Sequence, residues 1–274
     1  MSDNTKTQAT LLWILAIIIT LSSVIYQRKT GPTYPVDGTI DLDGQIIAYH
    51  FPRSQNTGET AEIKLSYEGQ PFNAMLRWKR FKSHDDWRLT PFTHAPNQAT
   101  AYLPSQPPAG KIIYEVLLGA TTRPPISISD EPVIIRFKGA VPPHVLIPHI
   151  LFMFTAMFLA TRSGLAAYVE SPYTLRYTFL TGLFLLIGGL ILGPLVQKYA
   201  FDAYWTGWPW GHDLTDNKTA VAFIAWILAY WQQKQKGNAK AWVIAAAVIT
   251  LAVYLIPHSA LGSELDYTQM EQAQ

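Results

Sequence analysis

Five long apolar runs constrain this chain more than any other feature. They cover residues 10–26, 144–160, 174–196, 219–231 and 241–256. A helix needs roughly 20 apolar residues to cross a bilayer, so each run is expected to form a transmembrane helix. The fourth run is short and is expected to draw on its flanks. "LLIGGLILG" places Gly188, Gly189 and Gly193 in the third. Small residues there permit close helix packing, or simply leave a pliable lipid-facing helix. Hydrophobic residues make up 49% of the chain and aromatic residues 13%, too apolar for an average soluble protein. The net charge of +2 supplies no pull toward nucleic acid. There is no cysteine, which excludes disulfides, thiolate metal sites and cysteine nucleophiles.

The first run is expected to be an uncleaved anchor. Lys6 and Asp3 make a weak positive region ahead of it, and no small-x-small cleavage site precedes "YQRKTGP". Lys and Arg asymmetry then sets the expected orientation. With the amino terminus inside, the inner segments carry Lys6, Arg162, Arg176, Lys234, Lys236 and Lys240. The short outer loop carries Lys198 and Lys218 against Asp202, Asp213 and Asp216, and the tail carries Glu264, Asp266 and Glu271. Arg28 and Lys29, directly after the first helix, run against the trend.

Residues 33–138 read differently, as short strands separated by turns. "GTIDLDGQIIAYHF" looks like a hairpin turning at Asp43–Gly44. "AEIKLSY" alternates, with Ile63 and Leu65 on one face and Glu62 and Lys64 on the other. About seven to nine such runs suggest an antiparallel sandwich. Trp78 in "LRWKR", with Leu103 and Tyr114 in "YLPSQPPAGKIIYEV", resembles the core of fibronectin-type-III and immunoglobulin-like domains. That resemblance implies a fold and not a function. Arg77, Lys79, Arg80, Lys82 and Arg88 form a basic patch. It suits an acidic partner or anionic headgroups, or it protects a sheet edge by charge. "KSHDDW", with His84, Asp85 and Asp86, reads as a turn.

The stretch "WTGWPWGHDLTDNK", residues 205–218, joins two of the apolar runs. Trp205, Trp208 and Trp210 suit a membrane–water interface, where an apolar ring carries a polar N–H. Asp213, Asp216 or Asn217 is expected to cap the following helix. His212 adds an imidazole close to two acids. His149, Met153 and Met157, at i, i+4 and i+8, share one helical face, with His144 above them. "IPHSALGSELDY" adds His258, Ser259, Ser263, Glu264 and Asp266. In the expected topology His144, His149, His212 and His258 lie at one membrane face. Imidazole with carboxylate is a ligand set for zinc or copper, so His149, His212, Asp213, His258 and Glu264 are the candidate metal ligands. The competing reading is a set of interfacial polar groups satisfied by backbone or water. The loop is expected to fold back and bring His212 and Asp213 toward His258 and His149. No nucleophile elbow surrounds Ser259 or Ser263, and no catalytic residue is assigned.

The segments "GPTYPV", "RFKSHDDW", "LPSQPPAGK", "WTGWPWGHDLTDNKT" and "IPHSALGSELDY" together resemble a family of uncharacterised bacterial inner-membrane proteins. The resemblance implies an anchor at 1–32, a periplasmic fibronectin-III/Ig-like β-sandwich at 33–138, and a four-helix membrane domain at 139–274 with an outer loop at 198–217. The amino terminus would be cytoplasmic and the tail periplasmic. The expected function is that of an accessory or scaffold protein whose sandwich binds a periplasmic protein. The alternative is a membrane-embedded metalloprotein or metalloenzyme using the outer-face His and Asp residues. Transport is disfavoured, because ionisable residues are absent from the helix centres.

Overall fold

The structure, a computed structural model, describes residues 3–120, 123–237, 239–257, 262 and 264–272. The chain divides into two compact units. The first comprises residues 1–32, 141–199 and 203–262; the second comprises 33–140, 200–202 and 263–274.

The helical unit is built from α1 (Asp3–Thr30), α2 (Pro143–Tyr168), α3 (Thr174–Leu185), a π-helical segment (Leu186–Leu192), α4 (Gly193–Phe201), α5 (Leu214–Lys236) and α6 (Lys240–Leu255). Among the described residues, three spans are long and apolar enough to cross a membrane: Thr7–Thr30, Pro143–Tyr168 and the continuous Thr174–Phe201. The sequence suggested five. Helix α6 is apolar but has only 16 residues. Helix α5 carries Asp216 and Lys218 near its start and Lys234 and Lys236 in its last turn. Its uncharged stretch of about 15 residues gives ~22 Å of helix, against an apolar thickness of ~30 Å.

Alanine dominates the core of this unit: Ala156, Ala160, Ala167, Ala222, Ala229, Ala246 and Ala247 surround Trp226 and Val243. Such small side chains let backbones approach. At Gly164 an added Cβ would sit 2.6 Å from the Ala247 Cβ, and at Gly189 2.6 Å from the Thr219 methyl. Gly188 and Gly189 are therefore packing residues, buried against α2 and α5, and not a lipid-facing surface. The Trp226 indole donates to the Thr250 hydroxyl (2.7 Å), which returns its own proton to the Ala246 carbonyl. Arg162, expected in an inner loop, instead lies within α2 and is buried. Its guanidinium stands 4.8 Å from each of the Trp13 and Tyr177 ring centres.

The second unit is a two-sheet sandwich of β1 (Val36–Leu42), β2 (Gln45–Phe51), β3 (Ser54–Asn56), β4 (Ala61–Tyr67), β5 (Asn73–Arg80), β6 (Arg88–Pro91), β7 (Thr93–Ala95), β8 (Gln98–Leu103), β9 (Lys111–Ala120), β10 (Arg123–Ser127) and β11 (Val133–Lys138). One sheet runs β1-β2-β4-β8-β7. The other runs β3-β11-β9-β5-β6, with β10 also paired to β9. Among the described residues, only β3 and β11 pair in parallel. The expected hairpin forms: Leu42 pairs with Gln45, and Asp43 and Gly44 adopt φ of 54° and 86°, the combination a two-residue type I′ turn requires. Strand β4 alternates strictly, sending Ala61, Ile63, Leu65 and Tyr67 inward. They meet Leu76, Ile112, Val116, Leu118, Ile135 and Phe137 from the other sheet. Trp78 is buried and its indole donates to Thr90 Oγ1 (3.1 Å). Tyr114 is fully buried, with its hydroxyl on the Pro52 carbonyl (2.9 Å).

Candidate functional site

Two places hold the residues that the sequence singled out, one in each unit. The first is the loop between α4 and α5. Asp213 is the N-cap of α5, and its Oδ1 accepts from the Thr215 amide (2.7 Å). Asp216, one turn in, does a different job. Its Oδ2 accepts the amides of Thr206 (2.7 Å) and Gly207 (3.0 Å). Asn217 Oδ1 takes the amide of Trp208 (2.6 Å). The Thr206 hydroxyl lies between Asp213 Oδ2 (3.1 Å) and Gln197 Nε2 (2.6 Å). The acids of "HDLTDNK" are thus spent on holding the reversed chain against the start of α5. Gly207 is needed for that approach, since a Cβ there would lie 2.6 Å from the Asp216 Cβ. Trp208 and Trp210 remain 75% and 82% exposed at the tip, while Trp205 turns inward and donates to the Trp208 carbonyl (3.2 Å).

Those expected metal ligands that lie among the described residues do not form one group. His149 donates from Nδ1 to the Gly188 carbonyl (2.9 Å), an oxygen within the π-helical segment. Met157 is fully buried in the helix core. Met153 accepts, through its carbonyl, from the Tyr254 hydroxyl (3.0 Å). His144 and His212 are both exposed. Glu264 belongs to the other unit, where it is bound to Lys82 and Lys111. The expected approach of His212 to His258 lies outside the described residues, as do Ser259 and Ser263. Among the described residues, no group of three His, Asp or Glu side chains is placed to hold a metal ion. Lys218, near the start of α5, is buried and donates to the Ile256 carbonyl at the end of α6 (2.7 Å).

The second place is the basic patch of the sandwich. Its five cations are not bare. Arg77 is paired with the buried Glu115 and lies 4.8 Å from the Trp87 ring centre. Lys79 approaches the same ring (5.4 Å), and Arg88 lies 5.3 Å from the Trp78 ring centre. Arg80 forms a two-pronged bond with Asp85 (2.8 and 2.7 Å) and covers the ring of Tyr267 (4.6 Å). Lys82 holds Glu264.

Tyr267 and Glu264 bring in a segment that sequence reasoning missed. Residues 264–272, ending in the short helix α7 (Tyr267–Gln272), dock on the sandwich. The Leu265 amide donates to the Ala109 carbonyl (3.1 Å) and the Thr268 amide to the Lys82 carbonyl (3.1 Å). Tyr267 is buried, and its hydroxyl donates to Gln106 Oε1 (2.9 Å). Burial alone would raise the Glu264 carboxyl, but the bonds and charges of Lys111 and Lys82 outweigh it and hold it below its ordinary value. The exposed Lys82 is raised by that carboxylate, whereas burial lowers Lys111 despite the same partner. The Arg80 guanidinium likewise holds Asp85 down. The signal that pointed to this docking was charge: a tail with acids and no bases, in the same chain as a patch of bases.

A separate open cleft of about 380 Å³ lies in the sandwich between Asp43, Gln45, Gln70, Phe72, Asn73 and His94. Its polar lining is three amide side chains, the Asp43 carboxylate and an imidazole already paired with the Tyr67 hydroxyl (2.8 Å). No known protein-family model matches the chain, and no curated protein matches it.

Proposed function

We propose that this chain is an integral inner-membrane accessory or scaffold protein whose fibronectin-III/Ig-like sandwich is a periplasmic docking module. One observation carries the reading. The core of the sandwich is complete, yet its edge strand β6 leaves Leu89 58% exposed beside Trp87 and the cations around it. Aromatic and Arg side chains at an exposed sheet edge are what protein interfaces favour. In this reading α5 and α6 also cross the membrane, making five spans. The amino terminus is cytoplasmic, and the α4–α5 loop lies at the outer surface with Trp208 and Trp210 in the lipid interface. The metalloprotein reading draws no comparable support, because Asp213, Asp216 and Glu264 are committed to amides and lysines.

A photo-crosslinking residue placed at Leu89 in the cell tests the docking role. A discrete protein adduct at Leu89, and none at Glu62 on the other sheet, is expected. Equal labelling or none at both positions defeats the reading. A reporter active only outside the cytoplasm should be active after Lys138 and silent after Lys236; the reverse would put the sandwich in the cytoplasm.

A further inference from the structure

We infer that the groove filled by residues 264–268 is a peptide-recognition site for acidic segments of the form Glu-x-x-Tyr, and that the chain's own tail is its resident, exchangeable occupant. The inference rests on the docking-module reading and names the chemistry of the partner segment.

The groove is built into the sandwich. Its two backbone acceptors, the carbonyls of Lys82 and Ala109, both belong to non-glycine residues in the left-handed region, with φ of 51° and 65°. Side chains rarely adopt that conformation, and it persists where the surroundings impose it. Here it coincides with the two oxygens that receive the peptide amides. Between them lies a slot for one aromatic ring. Arg80 forms its roof and is itself fixed by Asp85. Gln106 accepts from the phenol. Gly110 leaves the space the phenol needs, because a Cβ there would lie 2.6 Å from the Tyr267 oxygen. Lys82 and Lys111 converge on a single carboxylate three residues before the ring.

These features define what fits. The carboxylate must precede the ring by three positions, and the ring needs a hydroxyl that can donate. The Asp266 side chain between them is not required by the groove. Asp266 turns to its own helix, where it accepts from the Thr268 amide (3.1 Å). The covalently tethered tail competes at an effective concentration on the order of millimolar. A free peptide therefore binds well only when the tail is released.

The test uses purified full-length protein and a version ending at Gly262, both in detergent, with a fluorescent peptide of residues 264–272. The shortened protein should bind it saturably and the full-length protein at least about tenfold more weakly. Glu264→Gln or Tyr267→Ala in the peptide should each weaken binding by about tenfold or more. Lys82→Gln in the shortened protein should do the same while its melting curve stays unchanged, since Lys82 is exposed and its ion pair is with the tail. A peptide keeping only Glu-x-x-Tyr within unrelated residues should still bind. The inference falls if the shortened protein shows no saturable binding, if the altered peptides bind equally well, or if the unrelated Glu-x-x-Tyr peptide does not bind. This assay is independent of the Leu89 crosslink. Peptide binding without a crosslink would defeat the β6 docking reading and leave the groove standing, and the converse would do the opposite.

Discussion

The α4–α5 loop and the docked tail are both acidic, aromatic segments, and the fold uses them in opposite ways. In the loop, the bonds of Asp213, Asp216 and Asn217 to Thr206, Gly207, Trp208 and Thr215 span 2 to 10 positions in sequence. In the tail, Glu264 reaches Lys111, 153 positions away. Acids at the start of a helix find donors in the chain immediately before it, because the free amides and the reversed chain are already close. Acids in a tail have no such neighbours and take whatever cations the folded surface offers. The loop should therefore be as stable as its own helix, and the tail only as stable as the surface beneath it.

The largest effect should come from removing that surface. Trp78→Ala empties a large core site and should cost the sandwich about 3–5 kcal/mol. Urea unfolding of the full chain should show the loss, and protection of the tail should disappear in the same transition while the α4–α5 loop keeps its protection. Loss of loop protection at that point would mean the two segments are not independent.

Asp216→Ala comes next. It strands the Thr206 and Gly207 amides, and stranded buried donors cost roughly 1–3 kcal/mol each. Cleavage by a protease between Trp205 and His212 should accelerate accordingly. Asp213→Ala removes only the cap and should cost about 1 kcal/mol. Equal effects of the two would erase the distinction drawn between capping and tying.

In the tail, Glu264→Gln should change global stability by no more than about 1–2 kcal/mol, since Gln keeps an acceptor for the largely buried Lys111 and the Lys82 end of the pair is exposed. Amide exchange at Leu265 and Thr268 should nevertheless rise. A large global loss would show that the tail is part of the sandwich core and not a ligand on it.

The smallest effect is the pH dependence of tail docking. The folded Glu264 carboxyl lies below its ordinary value of 4.5, so its contribution is full above that value and is lost as pH falls through the lower, folded one. Tail exchange followed by amide protection should accelerate on that acid limb and stay unchanged between pH 5 and pH 7. Acceleration between pH 5 and pH 7 would assign the docking to another group.

Much of this architecture was legible in the residues. The runs at 10–26, 144–160 and 174–196 are helices because apolar length alone dictates it. Strand β4 was readable from the alternation of Ile63 and Leu65 with Glu62 and Lys64, and the β1–β2 turn from Asp43–Gly44, because both signals are local. The cap on α5 was narrowed to three neighbours and fell on Asp213. What periodicity cannot encode is which distant groups meet. Arg162 looked like a loop charge until helix packing placed it between Trp13 and Tyr177. Glu264 looked like a metal ligand until the sandwich set Lys82 and Lys111 on either side of it. The sequence alone determined the elements, the turn chemistry and the charge balance of each segment, since these depend on neighbours along the chain. Only the tertiary structure decided the partners of the buried and half-buried charges. Those depend on which surfaces come together after the apolar faces are buried, and one burial pattern is compatible with many pairings of the polar groups around it.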